Sequence, residues 1–255
     1  MAFEPLRSPI FDKVLHLEHG FYTANVEPPA PLGRAHQVHG ADIKEYIGEE
    51  SLNPHVLPKA DAVMTVVKDL WVGVQTADCI PALMAPIAGP AVIAVHGGWR
   101  GVLEGIFPRA LEAMEKKGIR PRDMLAALGP AIGPCCFEVG PELLEAFEKK
   151  WGWMWTSSPH LVPYKERHLD LKAIARMQLV HSGMLEPNID VIQLCTYCGI
   201  LRLHGEEFRA ETNDWASHRR ATHNGLKAAR QWSVIRMMSP ETEKAKKAAA
   251  TGNLI

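Results

Sequence analysis

Three side chains able to bind a metal stand at the ends of apolar, extended-looking stretches: His39 in QVHGAD, Cys79 in VQTADCIP and His96 in AVHGGWRG. Glycine follows both histidines, so the backbone there can turn and let an imidazole project from a rigid strand into a cleft. Zinc takes imidazole nitrogen and thiolate in a tetrahedral shell, and three protein ligands leave one position for water or substrate, which marks a catalytic site. The separations, 40 and 17 residues, are too long for a zinc finger. Spacing therefore leaves open a packing alternative, with Cys79 a small buried hydrophobe and both histidines hydrogen-bonded in the core.

The remaining histidines and cysteines are weaker signals. His36 and His39 form an HxxH pair, but residues three apart on a strand face opposite ways and are not expected to share an ion. His16 and His19 read as structural or exposed, and His160 and His204 carry no distinguishing context. CTYC, Cys195 to Cys198, resembles half a zinc ribbon or a redox CxxC, yet there is no second CxxC, so packing is the expected role. Cys135 and Cys136, neighbours in GPAIGPCCFEVG, cannot readily bridge each other, and the surrounding glycines and prolines predict a tight loop. One of these thiols is expected at a pocket and the other in the core.

Among charged residues, Arg100 follows Gly97, Gly98 and Trp99, where backbone can approach a ligand while a guanidinium forks to an anion. Arg219 and Arg220 in SHRR could do the same, and a surface ion pair is the alternative for each. Asp61 and Asp78, at or near strand ends, could orient a ligand histidine or move a proton, whereas Asp42 reads as solvated.

These groups need a scaffold. DAVMTVV from Asp61 and WVGVQTAD from Trp71 read as strands around a Lys68-Asp69 turn, and AVIAVHG from Ala91 reads as a fully buried strand. MLAALGP and NIDVIQL suggest two more. Apolar residues from Val102 to Lys117 recur at helical spacing, with Gly118 suited to end the helix and Pro108 predicting a kink or a late start. PELLEAFEKK has proline at its first helical position, and Asp170 can cap LKAIARMQLVHS. Strands and helices mix without a dividing linker, which predicts one α/β or α+β domain over residues 1–238. The polar, alanine-rich residues 239–255 are expected to be frayed helix or disorder.

The 255 residues are 47% apolar and 22% charged, typical of a globular protein large enough to fold without disulfides. A net charge of -1 gives no long-range attraction for nucleic acid. The longest apolar stretch, Pro81 to Val95, is broken by Pro86, Gly89 and Pro90, so no membrane span is expected. Charges in MAFEPLRSPIFDKV, where a secretory signal needs an apolar core, and an odd count of five cysteines point to a reduced, cytoplasmic protein.

Taken together, HGFYT from His19, QVHGADI, ADAVMT, TADCIP, AVHGGWRG, LGPAIGPCCFEVG and SHRR resemble the YfiH family, also called DUF152, the laccase-domain or the peptidoglycan-editing-factor family. The resemblance runs in order over roughly residues 19 to 236, and TADC with HGGWRG is its most specific part. It implies a four-layer α/β/β/α sandwich, shared with the catalytic domain of cytotoxic necrotising factors, and zinc held by His39, Cys79 and His96. It also implies phosphorolysis of adenosine, inosine, guanosine or methylthioadenosine and deamination of adenosine. The catalytic set expected is Cys79, His96, Asp78 and Arg100, with Gln37, Asp61 and Arg219 at the substrate. The partners expected are a small nucleoside and phosphate, with no nucleic acid or membrane, for a monomer or homodimer. Relatives carry a long glycine-rich insertion before QVHG where this chain has only ANVEPPAPLGRAH, and His218 stands at a tyrosine position of the family pattern.

Three other readings accompany zinc-dependent nucleoside chemistry. A copper-dependent polyphenol oxidase, using copper (Cu2+) in place of zinc (Zn2+), would need a further copper cluster built from HxH pairs, which the sequence lacks. A Cys-His hydrolase acting in peptidoglycan editing would use Cys79 as a thiolate nucleophile with His96 as base. A binding protein with a closed structural zinc would need a fourth ligand, from Cys135, Cys136 or a histidine.

Overall fold

The structure is a computed structural model, and it describes all residues except 1–3, 13, 25, 49–51, 54, 157–161, 204–205, 211–213 and 253–255. His160 and His204 thus lie outside the described residues. In chain order the strands are β1 (Leu17–Phe21), β2 (Leu32–Gly33), β3 (Ile43–Tyr46), β4 (Ala62–Thr65), β5 (Trp71–Thr76), β6 (Ile80–Pro86) and β7 (Val92–Gly97). They continue with β8 (Met124–Leu128), β9 (Tyr164–Lys165), β10 (His168–Leu169), β11 (Ile189–Val191), β12 (Ile200–Leu203), β13 (Glu206–Arg209) and β14 (Gln231–Met237). The helices are α1 (Pro9–Asp12), α2 (Trp99–Glu104), α3 (Ile106–Glu115), α4 (Pro141–Trp151), α5 (Leu171–His181), α6 (His218–His223) and α7 (Pro240–Gly252).

Two sheets stack to make the body. A mixed six-stranded sheet has the order β11-β8-β6-β7-β4-β3, and a four-stranded sheet has the order β1-β14-β5-β2. The alternation of strand side chains decides what lies on each face. From β7, Val92 and Ala94 enter the core between the sheets with Val72, Val74 and Ile235. Ile93 and Val95 point the other way, into the core that α3 and α5 close with Phe107, Leu111, Met114 and Ile174. The outer face of the small sheet carries Trp71, Trp232 and Val234. Among the described residues, this packing defines helix, sheet and sheet, three of the four expected layers.

Local chemistry explains the helix ends. The apolar run after Gly98 is split by Gly105, whose φ of 94° lies in the left-handed region that ends α2. Pro108 then sits in the first turn of α3, where its missing N–H costs no helical bond, so the late start is what forms. Pro141 opens α4, and the Asp170 carboxylate accepts the Ala173 N–H at 3.0 Å to cap α5. Residues 240–252 of the polar tail are helical, and Lys246 pairs with Glu18 at 3.0 Å.

Candidate active site

Antiparallel pairing of β6 with β7 places Ile80 opposite Gly97 and Pro81 opposite His96, so Cys79, one residue before β6, comes beside the end of β7. His39 arrives from a loop. QVHG was expected to be extended, but His39 has a φ of 62° and only His36 makes a bridge, to Lys59. The cause is Asp61, whose carboxylate accepts the successive N–H groups of Val38 at 3.2 Å, His39 at 2.9 Å and Gly40 at 2.8 Å. Wrapping three donors around one anion forces the loop to turn. The ligand atoms of His39, Cys79 and His96 all lie within 4.8 Å of one another. His36 stays outside the group. Among the described residues no fourth His, Cys, Asp or Glu atom joins these three.

The same Asp61 carboxylate fixes His96. His96 Nδ1 donates to Asp61 Oδ1 at 2.8 Å, which leaves Nε2 free to bind a metal. Burial pushes the Asp61 carboxyl up, but hydrogen bonds from His96, Gly40 and Val38 hold it below the usual carboxylate range. Burial alone would lower His96, yet its bonds to Asp61 and Cys79 raise it to about 9. Burial raises the Cys79 thiol, and the hydrogen bonds and charge of His39 and His96 overcome this and bring it down to about 6. Both shifts favour a proton on His96 over one on Cys79. Gly98 seals the group: a Cβ there would stand 2.9 Å from His39 Cδ2, 3.4 Å from Cys79 Sγ and 3.5 Å from His96 Cε1.

This group opens on a cavity of about 570 Å³, within the range of small-molecule sites. Besides the three ligands it is lined by Gln37, Asp78, Arg100 and Arg219, and by Arg34, His36, Thr76, Trp99, Phe137, His218, Arg230 and Trp232. Arg34 precedes QVHG in the chain, and His218 opens α6. Arg34, Arg230 and Trp232 were not singled out by the sequence, because isolated arginines and aromatics carry no local signature. A somewhat larger cavity, about 660 Å³, lies beside Cys135, Tyr164 and Arg202 and lacks the mixed donor group.

Several expected substrate contacts have other partners. Asp61 is 1% exposed and lies behind the ligands, with its oxygens occupied, so it orients them and does not reach the cavity. Gln37 donates to the Gln75 carbonyl at 2.7 Å and accepts the Gln75 N–H at 2.8 Å, tying the ligand loop to β5. Arg219 donates to the carbonyls of Cys136 at 2.8 Å and Glu138 at 2.9 Å. The Asp78 carboxylate accepts from Thr196 Oγ1 at 2.7 Å, Ser217 Oγ at 3.0 Å and the Arg219 N–H at 2.7 Å. Asp78 itself has a φ of 84°, a conformation such side-chain bonds sustain. Arg100 is exposed, with its guanidinium 4.4 Å from the Trp99 ring centroid at the cavity.

Fold and site define a mixed α/β protein with one thiolate and two imidazoles gathered where a small-molecule cavity meets the sheet. Residues 19–238 match the family described as multi-copper polyphenol oxidoreductase laccase, and the chain belongs to that family, which includes proteins named YfiH. It is 33% identical over 202 residues to the purine nucleoside phosphorylase YfiH of Shigella flexneri, covering 78% of this chain and 72% of that one. It is 34% identical over 142 residues to adenosine deaminase RL5 of an unknown prokaryotic organism, covering 56% of this chain and 54% of that one. The crystal structure of YlmD from Geobacillus stearothermophilus shares the fold, with a TM-score of 0.74, 22% identity and coverage of 94% of this chain and 98% of that one. No described helix is long and apolar enough to cross a membrane.

Proposed function

We propose that this chain is a zinc-dependent purine nucleoside enzyme that releases base from nucleosides with phosphate and deaminates adenosine. The observation that carries the reading is the mixed group His39, Cys79 and His96 opening on the cavity. Two imidazoles and a thiolate suit zinc, and a three-ligand protein shell is the catalytic pattern. Bound there, the ion would supply Lewis-acid polarisation of an oxygen of substrate, phosphate or water.

The chain's own residues supply the rest. Asp61 holds His96 in the tautomer that presents Nε2, and it holds the His39 loop in its turn. Arg100, exposed at the rim, is placed to take phosphate with a fork of N–H donors, and Arg34 and Arg230 add positive charge along the same wall. Trp99, Phe137 and Trp232 offer apolar faces for a planar base. Gln37, Asp78 and Arg219 act as positioning residues, since their polar atoms bind protein groups. His218, with Arg34 and His36 from the segment ANVEPPAPLGRAH, lines the cavity, and on the family resemblance these positions would set substrate range.

The described clusters favour this over copper oxidation: one holds two imidazoles with a thiolate, and the other holds thiols alone. Oxygen reduction by a multicopper centre needs a further imidazole-rich cluster. A panel of nucleosides assayed with and without phosphate tests the proposal. Phosphate-dependent base release that stops on chelation and returns with zinc is the expected result. Undiminished turnover by metal-free Cys79→Ala protein would refute it.

A further inference from the structure

Four of the five cysteines take no part in the cavity group, and the fold gathers them. The Sγ atoms of Cys135, Cys136, Cys195 and Cys198 all lie within 4.8 Å of one another, with Cys135 and Cys198 at 3.6 Å. Two loops deliver them. In the first, Cys136 and Phe137 both donate to the Gly133 carbonyl at 3.0 Å, a tight turn that sets the adjacent pair of thiols side by side. In the second, Gly199 donates to the Cys195 carbonyl at 2.9 Å and takes a φ of 72°, closing a C-x2-C-G turn. A bridge between Ala131 and Cys195 holds the loops together. The missing partner of CTYC is therefore an adjacent Cys-Cys pair about 60 residues earlier, outside the C-x2-C grammar.

We propose that Cys135, Cys136, Cys195 and Cys198 form a second, structural zinc site, a tetrathiolate that pins the loop carrying the cavity residues Ile132 and Phe137 to the CTYC loop. The dimensions fit. Zinc–sulfur bonds of 2.3 Å in a tetrahedron put sulfurs about 3.8 Å apart, a modest contraction of the observed group. The surroundings are also those of an anionic cluster. Cys195 Sγ accepts the Gly133 N–H at 3.3 Å and further bonds from the backbone of Cys198 and Tyr197. Lys172, 2% exposed, places its ammonium on the carbonyls of Ile192 at 2.7 Å and Leu194 at 3.4 Å, next to Cys195. Burial lowers the Lys172 ammonium to about 8, and the charge of Asp170 first, then of Cys195 and Cys135, opposes that loss, so four thiolates around one divalent ion would add to its support. Packing does not explain the group, because Cys135 is exposed.

The site's purpose follows from what its loops hold. Thr196, inside CTYC, donates to Asp78, the residue before Cys79, and the Cys136 carbonyl receives Arg219. Arg220 donates to the carbonyls of Thr196 at 2.5 Å and Tyr197 at 2.8 Å. Ile132 and Phe137, flanking the cysteine pair, line the cavity itself. A closed ion there would fix the cavity wall at Ile132, which donates to the Asp78 carbonyl at 2.9 Å, and at Phe137, and the site stands whether or not the nucleoside reading holds.

Metal content of protein purified under reducing conditions tests this, read by mass spectrometry. Two zinc ions per chain are expected, falling to one in Cys79→Ser and to one in a Cys135→Ser/Cys198→Ser variant. Cobalt loaded into Cys79→Ser protein should give tetrahedral ligand-field bands with the charge-transfer intensity of four thiolates. That spectrum and the native zinc content are read on the intact cluster, so they decide even if the double variant does not fold. A native zinc content that the Cys135→Ser/Cys198→Ser variant retains in full would overturn the site, as would a disulfide among the four in anaerobically purified protein or a cobalt spectrum lacking thiolate intensity.

Discussion

The two sulfur clusters of this molecule are built on opposite plans. His39, Cys79 and His96 meet where strands of the large sheet end, with a carboxylate behind them and a cavity in front. Cys135, Cys136, Cys195 and Cys198 meet between two loops, with backbone N–H groups and a buried lysine around them. Mixed ligands braced by an acid leave reactivity to be used, whereas four like ligands would leave none. On the two proposals made above, one chain would use the same element for chemistry in one place and for architecture in another.

The largest effect expected from this contrast is on turnover. Cys79→Ala should lower phosphate-dependent base release by about a thousand-fold, the roughly 4 kcal/mol that loss of a Lewis acid represents. Cys198→Ser should lower the thermal midpoint while leaving the cavity ion in place, which calorimetry and metal analysis would show. Equal loss of the cavity ion in both variants would break the distinction between the clusters.

A smaller effect is expected one step behind the ligands. Asp61→Asn keeps the shape but replaces an acceptor for His96 and the His39 loop with an amide, and should weaken zinc binding at the cavity about 10–100-fold by competition titration. Gly98→Ala should act in the same direction, since its Cβ meets His39 at 2.9 Å, whereas a Cβ at Gly133 in the other cluster meets nothing closer than Cys135 Sγ at 3.3 Å.

Thiol reactivity of the metal-free chain distinguishes Cys79 from Cys135 and Cys136 by pH, while hydrogen bonding from Cys135 lowers Cys195 to about 4 in its buried place. Cys79 is lowered to about 6, so its alkylation should rise about ten-fold per unit below that pH and level off above it. Burial raises the Cys136 thiol to about 12, and hydrogen bonding to Cys195 raises Cys135, so both should label slowly at pH 7. Peptide mapping after timed alkylation reads the order. Cys135 or Cys136 labelling ahead of Cys79 would contradict it.

The last change is at the link between them. Thr196→Val removes one hydroxyl donor from the Asp78 carboxylate and should cost about 1.5–3 kcal/mol in urea unfolding, with metal content unchanged. A variant as stable as the native chain would show that the two clusters are mechanically independent.

Much of the scaffold is legible in the sequence where local chemistry is strong. The runs that become β4, β5 and β7 are rich in β-formers, and Pro141, Asp170 and Gly118 mark helix ends. β6 escapes such reading because Pro81 and Pro86 look like interruptions, yet both fall at the strand's ends, where a lost donor matters least. The QVHG loop reads as a strand because the carboxylate that bends it is 22 residues away. Its ligands are recognisable by residue type and flanking glycine. The second cluster is not, because its halves are unlike each other and only the fold sets them together. Gln37, Asp61 and Arg219 show the same limit: residue type suggests contact with a substrate, and only their observed partners reveal that they brace the site.

Asp78 reaches across 118 positions to Thr196 and 139 to Ser217. During synthesis, a nascent chain that has already laid down the strands carrying Cys79 and His96 still lacks the donors that lock the cavity wall. The pocket, which Arg230 and Trp232 also line, is completed only when the last of the described strands has emerged, long after the strands that carry Cys79 and His96.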